Sequence, residues 1–284
     1  MNEKINVLGV NIDSFTAKEA MKETIAFLES EPVSVIDVVS VDALMQMNDL
    51  PELKEKMNEF DMILPGEKLI LEAAEEPELP EEINMELYLK MFMRYLHKNH
   101  KRLYLLVESE EEGQEAFRYL QKAYSGVQLV GLAKVSAEGR ADDMLVNAIN
   151  GSEVDCVLSA LSVPLQEDFI AKNRNLLDAR VWIGVGKKIF SPRKPGFGQG
   201  KIAKYLLNHI FRREMEKNKL KMKSEEKYKK VISSLCLCNK YVQNVKKLRK
   251  SPKKCDFLFI FLVIYIKIRF DDMYFVDYCS EFVV

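Results

Sequence analysis

The chain has 284 residues, of which 48% are apolar and 30% charged, so it can bury a sizeable core but is too charged for a multi-span membrane protein. Its formal net charge of −1 hides an asymmetry: Met1 to Gly200 carries 34 acidic and 22 basic side chains, whereas Lys201 to Lys254 carries 4 and 18. Such a contrast fits a globular body with a basic tail for an anionic partner, or a solvated basic helix with none.

In chain order, Ile5-Asn-Val-Leu-Gly9-Val-Asn-Ile12 alternates apolar residues around a glycine and predicts a strand pair or bent strand. A helix is expected over Thr16 to Glu29, capped by Asp13 or Ser14 and closed before Pro32. Val33 to Val41 is β-branched and apolar, as a buried parallel strand requires. Helices over Asp42 to about Met47 and over Pro51–Phe60, then a strand at Met62-Ile-Leu64, come next, and the proline-bearing acidic stretch Glu72 to Glu82 reads as a surface loop.

From Met85 the pattern becomes regular. Helices are predicted over Met85 to Lys98, Glu110 to Tyr124, Gly139 to Asn150 and Pro164 to Asn175. Strands are predicted at Arg102 to Val107, Val127 to Leu132, Asp155 to Leu161 and Arg180 to Val185. Strict alternation with short loops predicts an α/β fold, a Rossmann-like parallel sheet flanked by helices on both faces. Ligands then sit beyond the carboxyl ends of the strands.

Gly198 to Lys230 reads as a long lysine-rich helix. Phe257 to Ile266 is ten apolar residues, about half of what a bilayer-spanning helix needs. After Lys246 to Lys254 it suits a membrane interface, yet the sequence from about Ser233 is so unlike the body that a degraded reading frame explains it equally well. The expected organisation is an α/β domain over 1–213, a basic helical appendage over 214–254 and an apolar tail over 255–284.

Of the five cysteines, Cys236, Cys238, Cys255 and Cys279 lack the spacing of a zinc site, and Cys156 lies in an apolar run as a core thiol. His97, His100 and His209 have no partner at ligand spacing, so no metal is expected. Met1-Asn-Glu-Lys leads straight into a strand without a signal-peptide pattern, and the expected location is cytoplasmic, peripheral on the inner face of the membrane if the basic tail binds it.

Four strand ends hold residues suited to chemistry. Ser40 and Asp42 follow the first long strand and either hydrogen-bond a polyol or cap the next helix. At Leu64-Pro65-Gly66-Glu67, glycine permits close backbone approach and Glu67 is placed to act as a general base; an ordinary charged turn is the alternative. Pro164-Leu-Gln166-Glu167 opens a helix, putting Gln166 and Glu167 in its first turn, where a phosphate would meet the positive end of the dipole; dipole compensation alone is the alternative. Gly184-Val-Gly186-Lys187-Lys188 and then Arg193-Lys194 place cations beside a glycine-rich strand end, a plausible diphosphate cradle that matches neither G-x-G-x-x-G nor the P-loop.

At these four places the sequence resembles the WecG/TagA/CpsF glycosyltransferase family, over roughly Ile5 to Arg213. Pro164-Leu-Gln166-Glu167-x-Phe169-Ile170 is similar to the family's Pro-x-Gln-Glu-x-Phe-Ile and is the most specific match. Ser40-Val-Asp42 falls on its Thr-x-Asn turn, Leu64-Pro65-Gly66-Glu67 on its Leu-Pro-Asp-Gly turn, and Gly184-Val-Gly186 with Arg193 on its glycine strand end and Arg-Ala-Pro segment. The resemblance implies inverting transfer of an N-acetylhexosamine, of N-acetylmannosamine type, from a UDP-sugar to a polyprenyl-diphosphate-linked acceptor, with no separate cofactor. It implies Glu67 or Asp42 as the base, with Ser40, Gly66, Gln166, Glu167, Gly186, Arg193 and Lys194 binding substrate. The chain departs from the family in carrying Gly66 where the suspected catalytic aspartate stands, and in having Lys187 to Phe190 in place of Gly-Gly-Ser-Phe-Asp. A catalytically inactive nucleotide-sugar-binding module is therefore the alternative. An anionic membrane surface is the expected partner of the basic tail, a homo-oligomer stays open, and nucleic acid is not expected, since no aromatic platform accompanies the basic residues.

Overall fold

A computed structural model describes residues 4–74, 85–136, 141–186, 205–225 and 229. The chain divides into two compact units, Met1–Asn218 and Lys219–Val284, and nearly all of the second lies outside the described residues. So do the expected acidic loop over most of its length, Arg193 and Lys194, the apolar stretch Phe257–Ile266 and the four C-terminal cysteines.

The first unit opens with an antiparallel hairpin, β1 (Lys4–Val7) and β2 (Val10–Asp13). Its two turn residues, Leu8 and Gly9, both have positive φ, 51° and 89°, the turn geometry that matches strand twist. Helix α1 (Ala17–Leu28) follows and is capped by Thr16, whose hydroxyl accepts the Glu19 N–H at 3.3 Å while the Glu19 carboxylate accepts the Thr16 N–H at 2.8 Å. The expected cap at Asp13 or Ser14 is thus displaced. Asp13 is buried instead and accepts the Ile63 N–H at 2.9 Å, fastening the hairpin to the sheet.

The main sheet comprises β3 (Ser34–Val39), β4 (Met62–Pro65), β5 (Arg102–Val107), β6 (Gln128–Lys134), β7 (Cys156–Ser159) and β8 (Val181–Gly184). Its order is β4-β3-β8-β7-β5-β6 and every pairing is parallel. The helices joining the strands are α2 (Val41–Gln46), α3 (Pro51–Met57), α4 (Lys68–Ala74), α5 (Met85–Lys98), α6 (Glu110–Ala123), α7 (Asp142–Asn150) and α8 (Leu165–Asn173). A further helix, α9, covers 205–225.

Both faces of the sheet are covered, which is why its strands read as continuous apolar runs. On one face Met21 and Leu28 of α1, Tyr88, Phe92 and Leu96 of α5, and Leu120 of α6 pack on Ile36, Leu105, Leu158 and Ile183. On the other, the hairpin, Leu44 of α2, Met57 of α3, Phe169 of α8 and Phe211 of α9 pack on Val35, Val39, Ile63, Val157 and Trp182. Phe169 stacks on Trp182 with ring centroids 5.4 Å apart. Side chains alternate along a strand, so Asp37, between Val35 and Val39 in sequence parity, faces this second layer, beneath α8. Cys156 is fully buried in the first layer, where desolvation pushes its thiol far above the ordinary range. Among the described residues no helix is long and apolar enough to cross a membrane.

Candidate functional site

Because the sheet is parallel, all of its carboxyl ends lie along one edge, where the sequence-predicted residues fall into two groups. At the ends of β3 and β4, Val39 and Pro65 are register partners and the Gly66 N–H donates to the Val39 carbonyl at 2.7 Å. Ser40 is the N-cap of α2, its hydroxyl accepting the Ala43 N–H at 3.1 Å. Asp42, in the first turn of α2, accepts from Gln46 Nε2 at 3.1 Å. Glu67 is half-buried just before α4, and its carbonyl accepts the Ile70 N–H at 3.1 Å. Gly66 is fixed in type: a Cβ there would lie 2.8 Å from the Val39 carbonyl oxygen, and that contact is with backbone, which cannot turn aside.

The second group forms around the first turn of α8. Gln166 and Glu167 both turn inward and are buried. Gln166 Nε2 donates to Asp37 Oδ1 at 2.9 Å and lies 3.5 Å from Glu167 Oε1, while Gln166 Oε1 accepts the Gly186 N–H at 3.4 Å. One amide therefore ties β3, α8 and the segment leaving β8. Gly184 makes the arrangement sterically feasible: it is the register partner of Asp37, and a Cβ on it would fall on Asp37 Oδ1 and Gln166 Nε2. Ser159, the partner of Gly184 on its other side, is also buried.

This cluster is electrostatically unusual. Asp37 Oδ2, Glu167 Oε2 and Ser159 Oγ are buried without a hydrogen-bond partner among the described residues. Desolvation is the largest influence on both acids and disfavours their charged forms. It pushes the Asp37 carboxyl up to about 7, against the opposing pull of bonds from the Val38 N–H and the Gln166 amide. Glu167 is raised well above the ordinary carboxylate range by burial and by the neighbouring Asp37 charge.

The other face of the α8 start is solvent-facing. A cavity of about 850 Å³ is lined there by Leu165 and Asp168 of α8, Pro51 and Glu52 of α3, Asp49 and Asp142, among others. Among the described residues its carboxylates outnumber its one lysine, Lys56, which disfavours a diphosphate in that position. Among the described residues no group of three or more His, Cys, Asp or Glu is placed to hold a metal ion.

The structure thus joins Gln166, Glu167 and Gly186 in one hydrogen-bonded cluster and sets Ser40 and Gly66 on adjoining strand ends. Arg193 and Lys194, the predicted diphosphate ligands, lie outside the described residues. Asp37 is the residue that sequence reasoning missed. Its signal was present: a single carboxylate within Ser34-Val-Ile-Asp-Val-Val39, a run otherwise suited to burial on both faces. No curated protein matches the chain. A family model, described as Glycosyl transferase WecG/TagA/CpsF family, matches residues 5–190.

Proposed function

The chain belongs to the WecG/TagA/CpsF family of glycosyl transferases, and we propose that it moves an N-acetylhexosamine, of N-acetylmannosamine type, from a UDP-sugar to a polyprenyl-diphosphate-linked acceptor in cell-surface polysaccharide or teichoic acid synthesis. The observation that supports this most is the convergence of family-like segments on one edge: Gly66 against Val39, and Gln166 bonded to Gly186. In the proposed step the acceptor hydroxyl oxygen attacks the anomeric carbon as the bond to the UDP oxygen breaks, with inversion. The hydroxyl proton passes to Glu67, with Asp42 as the alternative base, and UDP leaves as the anion. Ser40 and the Gly66 backbone border the reacting sugar. Gln166 and Glu167 have their polar groups turned into the protein, so their part is to hold the start of α8 and the Gly186 turn in place. Arg193 and Lys194 are assigned to the diphosphate by family resemblance, cations that stabilise the leaving charge without a bound metal.

The test is UDP release from UDP-N-acetylhexosamines in the presence of a lipid-diphosphate acceptor. A general base contributes roughly 10²–10⁴-fold, so Glu67→Ala should lower the rate by that order with nucleotide binding retained. Equal release by wild type and variant removes Glu67 from the mechanism. A second reading, a nucleotide-sugar-binding module without turnover, is favoured by one observation: the packing of Gly66 on Val39 leaves no room for the family's aspartate there. Calorimetric UDP affinity without release with any acceptor would support it.

A further inference from the structure

The cluster under α8 does something that neither a capped helix nor a nucleotide site requires: it buries two carboxyl groups against a single neutral amide. Asp37 accepts from the Val38 N–H and the Gln166 amide, and Glu167 from its own N–H and the Gln166 amide. The surroundings supply no cation among the described residues. β4 presents Ile63 beside Asp37, β8 presents Gly184 and β7 presents Ser159. The third buried acid, Asp13 of β2, is bonded to the Ile63 N–H and paired with Lys4 at 3.6 Å. Two buried, ionised carboxylates with no counter-charge are strongly unfavourable, and one proton between them relieves most of that cost.

We propose that Asp37 and Glu167 share one proton across the Gln166 amide, and that Asp37 is a positioning residue that couples the first turn of α8 and the Gly186 turn to pH. With the proton present, the Gln166 amide bridges one neutral and one charged acid and its carbonyl stays on the Gly186 N–H. When the proton leaves, two like charges face each other across that amide, and the tie between β3, α8 and the end of β8 loosens. The sign follows directly. The folded chain holds this proton over a range where the unfolded chain has released it, so folding stability falls as pH rises toward neutrality.

Urea unfolding of the full chain, wild type and Asp37→Asn, from about pH 5 to pH 8 tests this. One extra proton bound by the folded state lowers the folding equilibrium constant by about tenfold per pH unit. That slope is expected in the wild type between about pH 5 and pH 6.5, relative to the variant. Parallel pH profiles for wild type and Asp37→Asn overturn the proposal. Should that variant fail to fold, carbon-13 carboxyl signals of wild-type protein labelled at Asp and Glu decide it. A carboxyl titrating near neutrality supports the shared proton, and complete ionisation of every carboxyl by about pH 5.5 refutes it. The bearing on donor binding rests on the transferase reading: UDP affinity should drop between about pH 6 and pH 8 in wild type but not in Asp37→Asn. Absence of UDP binding at either pH would count against the transferase reading alone, because the unfolding and carboxyl titrations still decide the proton.

Discussion

Replacing Gly184 by alanine probes the buried cluster with one methyl group. Its Cβ would fall on both Asp37 Oδ1 and Gln166 Nε2 and lie 2.8 Å from Gln166 Cδ, so the amide must leave Asp37 or β8 must move. Overpacking of this kind costs about 1–3 kcal/mol, and leaving the buried Asp37 oxygen without its donor costs about another 1–3 kcal/mol. The expected destabilisation is therefore about 2–6 kcal/mol, a large part of the stability of an ordinary domain. Urea unfolding of wild type, Gly184→Ala, Gln166→Ala and the double variant forms a cycle. Removing the Gln166 side chain takes away one of the two obstacles, so the double variant should be more stable than the sum of the single losses implies, by about 1 kcal/mol or more. If Gly184→Ala unfolds within about 0.5 kcal/mol of wild type, or the two losses simply add, the close packing of Gly184, Asp37 and Gln166 described above is wrong.

Thr16→Ala removes one side of the capping box on α1 and should cost about 1 kcal/mol in urea unfolding, while Ser14→Ala should cost almost nothing; the reverse ranking would move the cap back to Ser14. Gly66→Asp recreates the family's side chain at a position already in contact with the Val39 carbonyl; it should lower stability and leave UDP release no faster than wild type. Alkylation by iodoacetamide, mapped by mass spectrometry, should leave Cys156 unmodified in the folded chain and modify it in urea, because its thiol is fully buried and held protonated.

The layered α/β architecture was legible because its cause is periodic. Strands buried on both faces leave β-branched runs such as Val33 to Val41, and helices between them leave an amphipathic repeat. Strand order was not legible, since it depends on which crossovers pack together. Thr16-Ala-Lys-Glu19 carries the capping-box spacing, but the short polar residues Asp13 and Ser14 just before it are equally good cap candidates in sequence. Gly184, the last residue of β8, and Gly186 just beyond it suit, in sequence, an approach to phosphate. Gly184 proves to be needed by the protein itself, to admit the Asp37–Gln166 bond, whereas a Cβ on Gly186 would meet nothing within 4 Å and its constraint is a φ of 70°. Asp37 stands out locally as one carboxylate in an apolar strand, but its partner lies 129 positions along the chain, which no local pattern encodes.

We propose that the loops beyond the parallel strands form one cleft for a nucleotide diphosphate. A crystal structure of the full chain with UDP tests it most directly. The diphosphate is expected at the carboxyl edge of the sheet, between the Gly66 turn and the Gly186 N–H. UDP seated instead in the acidic cavity beside Asp49 and Asp168, or at the opposite edge of the sheet, would contradict it.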